Sequence, residues 1–118
     1  LNSDRPIFIQ IVERIEMDII SGKYKPGDKL PSVRDFAAEA AVNPNTMQKA
    51  FTELERTGLV FSQRTTGRFI TEDTSMIDEL KSTLAKDKIT ELLSFMQQLG
   101  FQENEILAMI GQTMKGEK

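Results

Sequence analysis

The sequence contains no histidine and no cysteine among its 118 residues, and only one tyrosine. Without cysteine the chain can form neither a disulfide scaffold nor a thiolate metal site. Without histidine as well, it lacks the side chains that enzymes use most often as general base and as thiol nucleophile. These absences exclude disulfide-stabilised folds and argue against catalysis.

The acidic residues do not supply a catalytic pair instead. Glu53 and Glu55, like Glu103 and Glu105, are spaced i, i+2, so on a helix the two carboxylates of each pair point to different sides. The sequence has no EF-hand spacing and no glycine-rich phosphate loop. We therefore expect no enzymatic activity, no metal site and no cofactor.

Long apolar runs are missing too. No segment approaches the roughly 20 apolar residues that span a bilayer, and no signal-peptide pattern precedes Pro6. A chain of this length can bury one modest core and carry an appendage. We expect no membrane partner and a cytoplasmic location.

Charge is distributed unevenly along the chain, whose net charge is −3. Residues 1–71 hold ten Lys and Arg against nine Asp and Glu, whereas residues 72–118 hold five against nine. The acidity therefore lies in the second part. The first part is close to neutral and can still form a locally basic face, because the distribution of charge matters more than its sum.

A short helix is predicted from Val33 to about Ala41. Ser32 precedes Val33 and has Asp35 three residues later, an arrangement similar to a capping box, in which side-chain oxygens bind the free N–H groups of a helix start. The helix should end before Asn43, because an N-cap residue followed by a proline favours the start of a new helix.

A second helix is predicted from Pro44 to Gly58, where the glycine provides a left-handed C-cap. Its apolar residues follow i, i+3, i+4, i+7 spacing and form one inward face: Met47, Ala50, Phe51 and Leu54. The opposite face is polar. A helix before both of them is predicted from Pro6 to about Ser21, and its apolar stripe should complete a three-helix core.

Two apolar segments after Gly58 predict a β-hairpin. They are residues 59–61 and 68–70, and they flank a turn that contains Gly67. We expect Leu59 and Phe69 to join the core, and residues 29–30 to add a very short strand beside the hairpin. Helix, turn, helix and hairpin in this order predict a winged helix-turn-helix, in which the hairpin is the wing.

The same residues resemble a known family. The run from Gly22 to Ser32, GKYKPGDKLPS, is similar to the N-terminal domain of GntR-type bacterial transcription regulators. Further matching positions follow in order: Arg34, Val42-Asn43-Pro44-Asn45-Thr46, Glu53-Leu54-Glu55 and Gly58. The resemblance covers roughly Pro6 to Thr71, and Asn43-Pro44-Asn45-Thr46 looks like the YtrA subfamily. Members of that subfamily carry only a short helical tail for dimerisation.

We therefore divide the chain into a DNA-binding domain, residues 1–71, and a dimerisation tail, residues 72–118. The tail predicts one helix from about Ser75 to Leu99 and another from about Gln102 to Met114, separated by Gly100. Two short helices with this many apolar residues imply a partner surface, and a symmetric homodimer is the simplest answer. The predicted dimerisation residues are Ile77, Leu80, Leu84, Leu92, Phe95, Met96, Leu99, Ile106, Met109 and Ile110.

A small-molecule effector is left open as a further partner. A pocket between the tail helices would be lined by Phe95, Met96, Phe101 and Met109, but a filled core accounts for the same residues and is the simpler alternative.

Candidate DNA contacts lie on the two short helices and on the wing. Arg34 is placed to reach a phosphate or a guanine edge, and Gln48 to bond adenine. Asn43 serves equally well as a helix cap, so its role stays open. Gly67 matches the wing-tip glycine that GntR-type proteins place in the minor groove. The candidate DNA-binding residues are Ser32, Arg34, Asn43, Asn45, Thr46, Gln48, Lys49, Arg64, Thr66, Gly67 and Arg68.

The resemblance implies a sequence-specific transcription regulator that binds a palindromic double-stranded operator as a homodimer, acts as a repressor and controls transporter genes. The alternative is a winged helix that contacts proteins and binds no DNA, because a fold does not by itself determine a function.

Overall fold

The computed structural model of the chain describes residues 5–116. These residues form five α-helices and one two-stranded antiparallel sheet, which confirms the predicted fold class. In chain order the elements are α1 (Ile7–Ile20), α2 (Val33–Ala40), α3 (Pro44–Thr57), β1 (Val60–Gln63), a 3₁₀ turn (Arg64–Thr66), β2 (Gly67–Ile70), α4 (Thr74–Gln98) and α5 (Glu103–Met114).

The chain folds as two compact units, one ending at Glu79 and the other starting at Leu80. The division lies inside α4, beyond the predicted division after Thr71, because the first turn of α4 packs on the winged helix-turn-helix. At Gly58 an added Cβ would lie 3.3 Å from the terminal methyl of Met76. The first unit therefore includes the start of the long helix.

Local signals set the ends of α2 and α3 as the sequence predicts. Ser32 Oγ accepts a hydrogen bond from the Asp35 backbone N–H at 3.1 Å and caps α2. Ala41 ends that helix in the left-handed conformation, with φ 57°. Asn43 Oδ1 accepts from the Asn45 N–H at 2.8 Å and caps α3, which ends at Gly58 with φ 88°.

The core of the first unit surrounds α3. Both α1 and α2 pack against α3, and the ring of Phe36 meets Phe51 edge to face with centroids 5.7 Å apart. The largest fully buried side chains are Phe51, Ile15, Met47, Leu54, Ile70 and Val60. The inward face predicted for α3 is therefore confirmed.

The wing differs in one detail from the prediction. Leu59 is buried as expected, but Phe69 is only half-buried and its ring stacks on Phe61 on the outer face of the hairpin. The inward residues of the hairpin are Val60 and Ile70, which pair across the strands. Phe69 was therefore wrongly assigned to the core, because alternation along a strand turns neighbouring side chains to opposite faces.

A short third strand completes the wing, as predicted. Lys29 forms an antiparallel bridge with Phe69. On either side of it, Leu30 N–H donates to the Arg68 carbonyl at 2.9 Å and Ile70 N–H donates to the Asp28 carbonyl at 2.8 Å. The segment before α2 is thereby fixed to the edge of β2.

The second unit contains most of α4 and all of α5. Gly100 separates them with φ 95°, and Gln102 and Glu105 form a capping box at the start of α5. Met96 and Ile106 are buried, so these two predicted dimerisation residues pack within the chain. Large apolar side chains that stay exposed in this unit are Ile89, Leu92, Leu93, Phe95, Leu99, Leu107, Met109 and Met114.

The apolar surface of α4 changes direction along the helix. With 3.6 residues per turn, Ile77, Leu80 and Leu84 lie within an arc of about 60°. The apolar residues from Ile89 to Leu99 are centred about 100° further round. The two halves of α4 therefore present apolar surface in different directions.

None of the helices within residues 5–116 combines the length and the apolar character needed to span a membrane.

Substitutions at the two left-handed helix ends should have opposite effects on stability. Gly58→Ala places a side chain at positive φ and against Met76, so the free energy of unfolding should fall by about 1–2 kcal/mol. Ala41→Gly removes the strain of a side chain at φ 57°, so it should raise the free energy of unfolding by up to about 1 kcal/mol. Urea denaturation of both variants measures this, and equal effects of one sign would contradict the cap assignments.

Candidate nucleic-acid interface

An open concave surface of about 910 Å³ lies on the first unit where α2 begins, beside α3 and the wing tip. It brings together six of the predicted DNA-binding residues, namely Ser32, Arg34, Gln48, Thr66, Gly67 and Arg68. The remaining five, Asn43, Asn45, Thr46, Lys49 and Arg64, lie outside this lining. Residues distant in sequence thus meet on one surface.

The start of α2 contributes a cation beside a helix N-terminus. Arg34 is exposed, and no ion pair engages it within the described part of the chain. The hydroxyl of Ser32 already accepts the capping bond of α2, although its side chain remains exposed. Since free N–H groups at a helix N-terminus favour anions, this corner of the surface suits a phosphate group.

The first turns of α3 present a polar face. Asn45, Gln48 and Lys49 are exposed, whereas Thr46 is half-buried. Gln48 Nε2 donates to Thr52 Oγ1 at 3.3 Å, one turn further along. Lys49 lies on the side of α3 near Phe8, together with Thr52. Thr52 is exposed and lies on the same face, a position that sequence reasoning passed over although its i+4 spacing from Gln48 indicates it.

The backbone conformation of the wing tip favours glycine. Gly67 has φ 118°, a conformation that other L-residues rarely adopt. A Cβ at this position would lie 3.0 Å from Cε of Lys29, whose flexible, exposed side chain could move aside. The tip itself is a single 3₁₀ turn, in which Thr66 Oγ1 donates to Gln63 Oε1 at 3.3 Å.

The two wing arginines occupy different environments. Arg64 is exposed on the tip, with no ion pair among residues 5–116. Arg68 is half-buried, its Nε donates to a carboxylate oxygen of Glu55, and its guanidinium carbon lies 5.3 Å from the ring centroid of Phe51. Arg68 is therefore engaged with α3, and Arg64 is the exposed cation of the wing.

Sequence reasoning also missed Lys29 as a member of this surface. Its side chain runs under the wing tip at Gly67 and lines the concavity, and it is exposed. The alternation with buried Leu30 indicated that Lys29 points outward, but the sequence could not show that the wing tip lies beside it. Nearby, partial burial, and then the charges of Asp18 and Glu39, raise the pKa of Tyr24.

Acidic groups are concentrated away from this surface. Glu53 pairs with Arg56 at 2.5 Å, and the hydrogen bond from Arg56 lowers the pKa of Glu53. Glu13, Glu16 and Glu53 line a depression beside Phe8, where burial, and then the charges of Glu13 and Glu53, raise the pKa of Glu16. Among the described residues that line the concave surface itself, Asp35 is the only acidic one.

Two curated relatives match most of the chain. The HTH-type transcriptional regulator YhcF from Bacillus subtilis is 40% identical over 105 residues, which cover 89% of this chain and 87% of the relative. The HTH-type transcriptional repressor YtrA from the same organism is 40% identical over 97 residues, or 82% of this chain and 70% of the relative.

Solved structures agree with this similarity. A GntR family transcriptional regulator from Listeria monocytogenes superposes with a TM-score of 0.87 at 38% identity, over 95% of this chain and 98% of that one. The DNA-binding domain of AraR in complex with its operator ORX1 has a TM-score of 0.54 at 30% identity, over 57% of this chain and 81% of that one.

The sequence profile of the family described as "Bacterial regulatory proteins, gntR family" matches residues 9–70. This range contains most of α1 and all of α2, α3 and the wing, and therefore every candidate DNA contact. On the combined evidence of profile, relatives and fold, the chain belongs to the GntR family of DNA-binding bacterial transcription regulators.

Proposed function

We propose that the protein is a homodimeric repressor that binds a palindromic operator in the bacterial cytoplasm. The observation that carries the proposal is the concave surface, where the exposed cations Lys29 and Arg34 lie together with Gln48 of α3 and the wing tip. DNA affinity comes largely from phosphate neutralisation, and this surface carries few cations, so one subunit alone should bind weakly. A dimer that binds two half-sites would compensate for this.

In this proposal α3 enters the major groove and the wing lies over the adjacent minor groove. Asn45, Gln48 and Lys49 face base edges, since Gln pairs with adenine and Lys reaches guanine or phosphate. Arg34 binds the backbone beside the N-terminus of α2. At the wing, Gly67 allows close approach to the DNA, and Arg64 and Lys29 supply charge to the narrow groove or its phosphates.

The tail supports dimerisation because its apolar side chains lack cover within the described chain. Leu92, Phe95 and Leu99 are 44%, 57% and 59% exposed, and they lie on one side of the second half of α4. Exposed apolar groups in such number mark an interaction surface. A second copy of the same surface would cover them and relate two recognition helices by a two-fold axis.

Repression of transporter genes is the most specific part of the proposal, and its basis is the similarity to YtrA-type regulators. The relative named as a repressor shares 40% identity with this chain. No effector is needed for this scheme. Of the side chains predicted to line an effector pocket, Met96 is buried, whereas Phe95 and Met109 are exposed, as an interface between copies would require.

Selection from genomic DNA tests the operator and the reading surface together. We expect sheared bacterial DNA retained by the protein to be enriched in one short inverted repeat. Arg34→Ala should then reduce affinity for that repeat by about tenfold and lower the slope of log affinity against log salt by about 0.9, since one phosphate contact is lost. A folded Arg34→Ala protein with unchanged affinity would show that Arg34 lies away from the DNA, whereas a wild-type protein that enriches no sequence would favour the protein-binding alternative.

Asn43 can be assigned by a pair of variants that separate capping from DNA contact. Asn43→Asp keeps an N-cap, so the free energy of unfolding should stay within about 0.5 kcal/mol of the wild type. The added charge beside DNA should weaken operator binding about tenfold. Asn43→Ala loses the cap and should destabilise the protein by about 1 kcal/mol. Unchanged binding by Asn43→Asp would place this residue away from the DNA.

The dimer is tested by a charge placed on the apolar side of α4. Leu92→Asp should give a monomer in light scattering and weaken operator binding by about 100-fold, because the second half-site no longer binds intramolecularly. Thr90→Asp is the matched control, since it adds the same charge on the polar side of the helix. A dimeric Leu92→Asp protein would show that the interface lies elsewhere.

A further inference from the structure

We propose that Arg68 is a positioning residue which, through its ion pair with Glu55, fixes the wing against the recognition helix α3. In this role it sets the distance between the two DNA-reading elements and donates nothing to the DNA itself. The proposal rests on the DNA binding set out under Proposed function, and it revises the expectation that Arg68 contacts DNA.

The side-chain contacts of Arg68 lead to α3, whereas its backbone carbonyl accepts a hydrogen bond from Leu30 N–H. Its Nε donates to Oε1 of Glu55, thirteen residues earlier in the chain. The guanidinium carbon lies 5.3 Å from the ring centroid of Phe51 on the same helix, and Phe51 is fully buried. The side chains of Arg68 and Glu55 are 26% and 32% exposed. A planar guanidinium suits such a site because it can stack on a ring and bind a carboxylate at once.

The wing needs such a connection because its apolar anchor is confined to its base. Val60 and Ile70, the buried pair, lie at the end farthest from the tip. Toward the tip, Ser62 and Gln63 are exposed, and so is the whole turn. A hairpin of two four-residue strands is only marginally stable by itself. Arg68 lies next to Gly67, so its pair with Glu55 holds the hairpin to α3 close to the tip.

The charges of the pair also argue that Arg68 does not bind a DNA phosphate. The carboxylate of Glu55 neutralises the guanidinium, so the pair adds almost no net charge to the concave surface. A partly exposed ion pair contributes little to stability, but here it restrains geometry. Because direct readout requires hydrogen bonds of defined length, a small displacement of the wing from α3 should weaken binding at both grooves.

A double-mutant cycle on the selected operator tests this role. We expect Arg68→Gln and Glu55→Gln each to weaken operator binding by about fivefold to tenfold, and the double variant to bind no worse than the weaker single variant, because paired residues are non-additive. The salt slope of the double variant, which keeps the net charge of the pair unchanged, should equal that of the wild type. A slope lowered by about 0.9, with tighter binding by Glu55→Gln, would show instead that Arg68 is a phosphate ligand.

Arg64→Gln serves as the matched control, because it removes the same charge from the same wing at a residue without an ion pair among residues 5–116. Its salt slope should fall by about 0.9.

Hydrogen exchange of the DNA-free proteins provides a second readout, independent of operator binding. Amides of residues 67–70 should exchange faster in Arg68→Gln and in Glu55→Gln, while amides of α1 keep their wild-type rates. Unchanged exchange in the wing would overturn the proposal even if DNA binding is confirmed. Failure of the wild-type protein to bind any duplex would instead overturn the proposed function, and the exchange result would still decide the role of Arg68.

Discussion

The buried face of α3 is the constraint on which the first unit depends. Met47, Ala50, Phe51 and Leu54 are completely buried on one side of the helix, and α1, α2 and the wing all pack against α3. Because this face is closed on every side, α3 cannot rotate without exposing large apolar surface, at roughly 25 cal/mol for each Å². Its opposite face is therefore held in one orientation toward solvent. The same packing that stabilises the domain also aims the polar side chains of α3.

Charge segregation follows from this arrangement. Residues 1–71 are nearly neutral, yet the concave surface collects Lys29 and Arg34, with Arg64 nearby on the wing, while Glu13, Glu16 and Glu53 lie beside Phe8. A protein with a net charge of −3 can therefore present a locally basic side to an anionic partner. Glu55 is the exception near the wing, and its pairing with Arg68 removes the charge of both. Charged side chains in this domain can therefore serve two purposes: the exposed cations attract an anionic partner, and the Arg68–Glu55 pair connects the wing to α3.

The second unit has the opposite character, because its apolar side chains remain largely exposed. Only Met96 and Ile106 are buried among its described residues. Two helices of 25 and 12 residues cannot enclose a core of their own. Burial of their exposed apolar side chains against a partner would therefore lower the free energy and favour association.

The sequence by itself determined the helix ends and the fold class. Ser32, Asn43 and Gly58 act through hydrogen bonds and backbone conformations that involve only neighbours in the chain, so their roles could be read directly. The apolar spacing of α3 likewise predicted its buried face. The family resemblance then predicted which surface binds DNA, because the matching residues lie on α2, on α3 and in the segments that lead into them.

Only the tertiary structure decided which candidate side chains are available to a partner. Arg64 and Arg68 are the same residue type on one hairpin, but the fold leaves the first exposed and pairs the second with Glu55. It also places Lys29 beside Gly67 and turns Ile70, rather than Phe69, toward the core. These outcomes depend on contacts between residues far apart in sequence and on strand register, which no local pattern encodes.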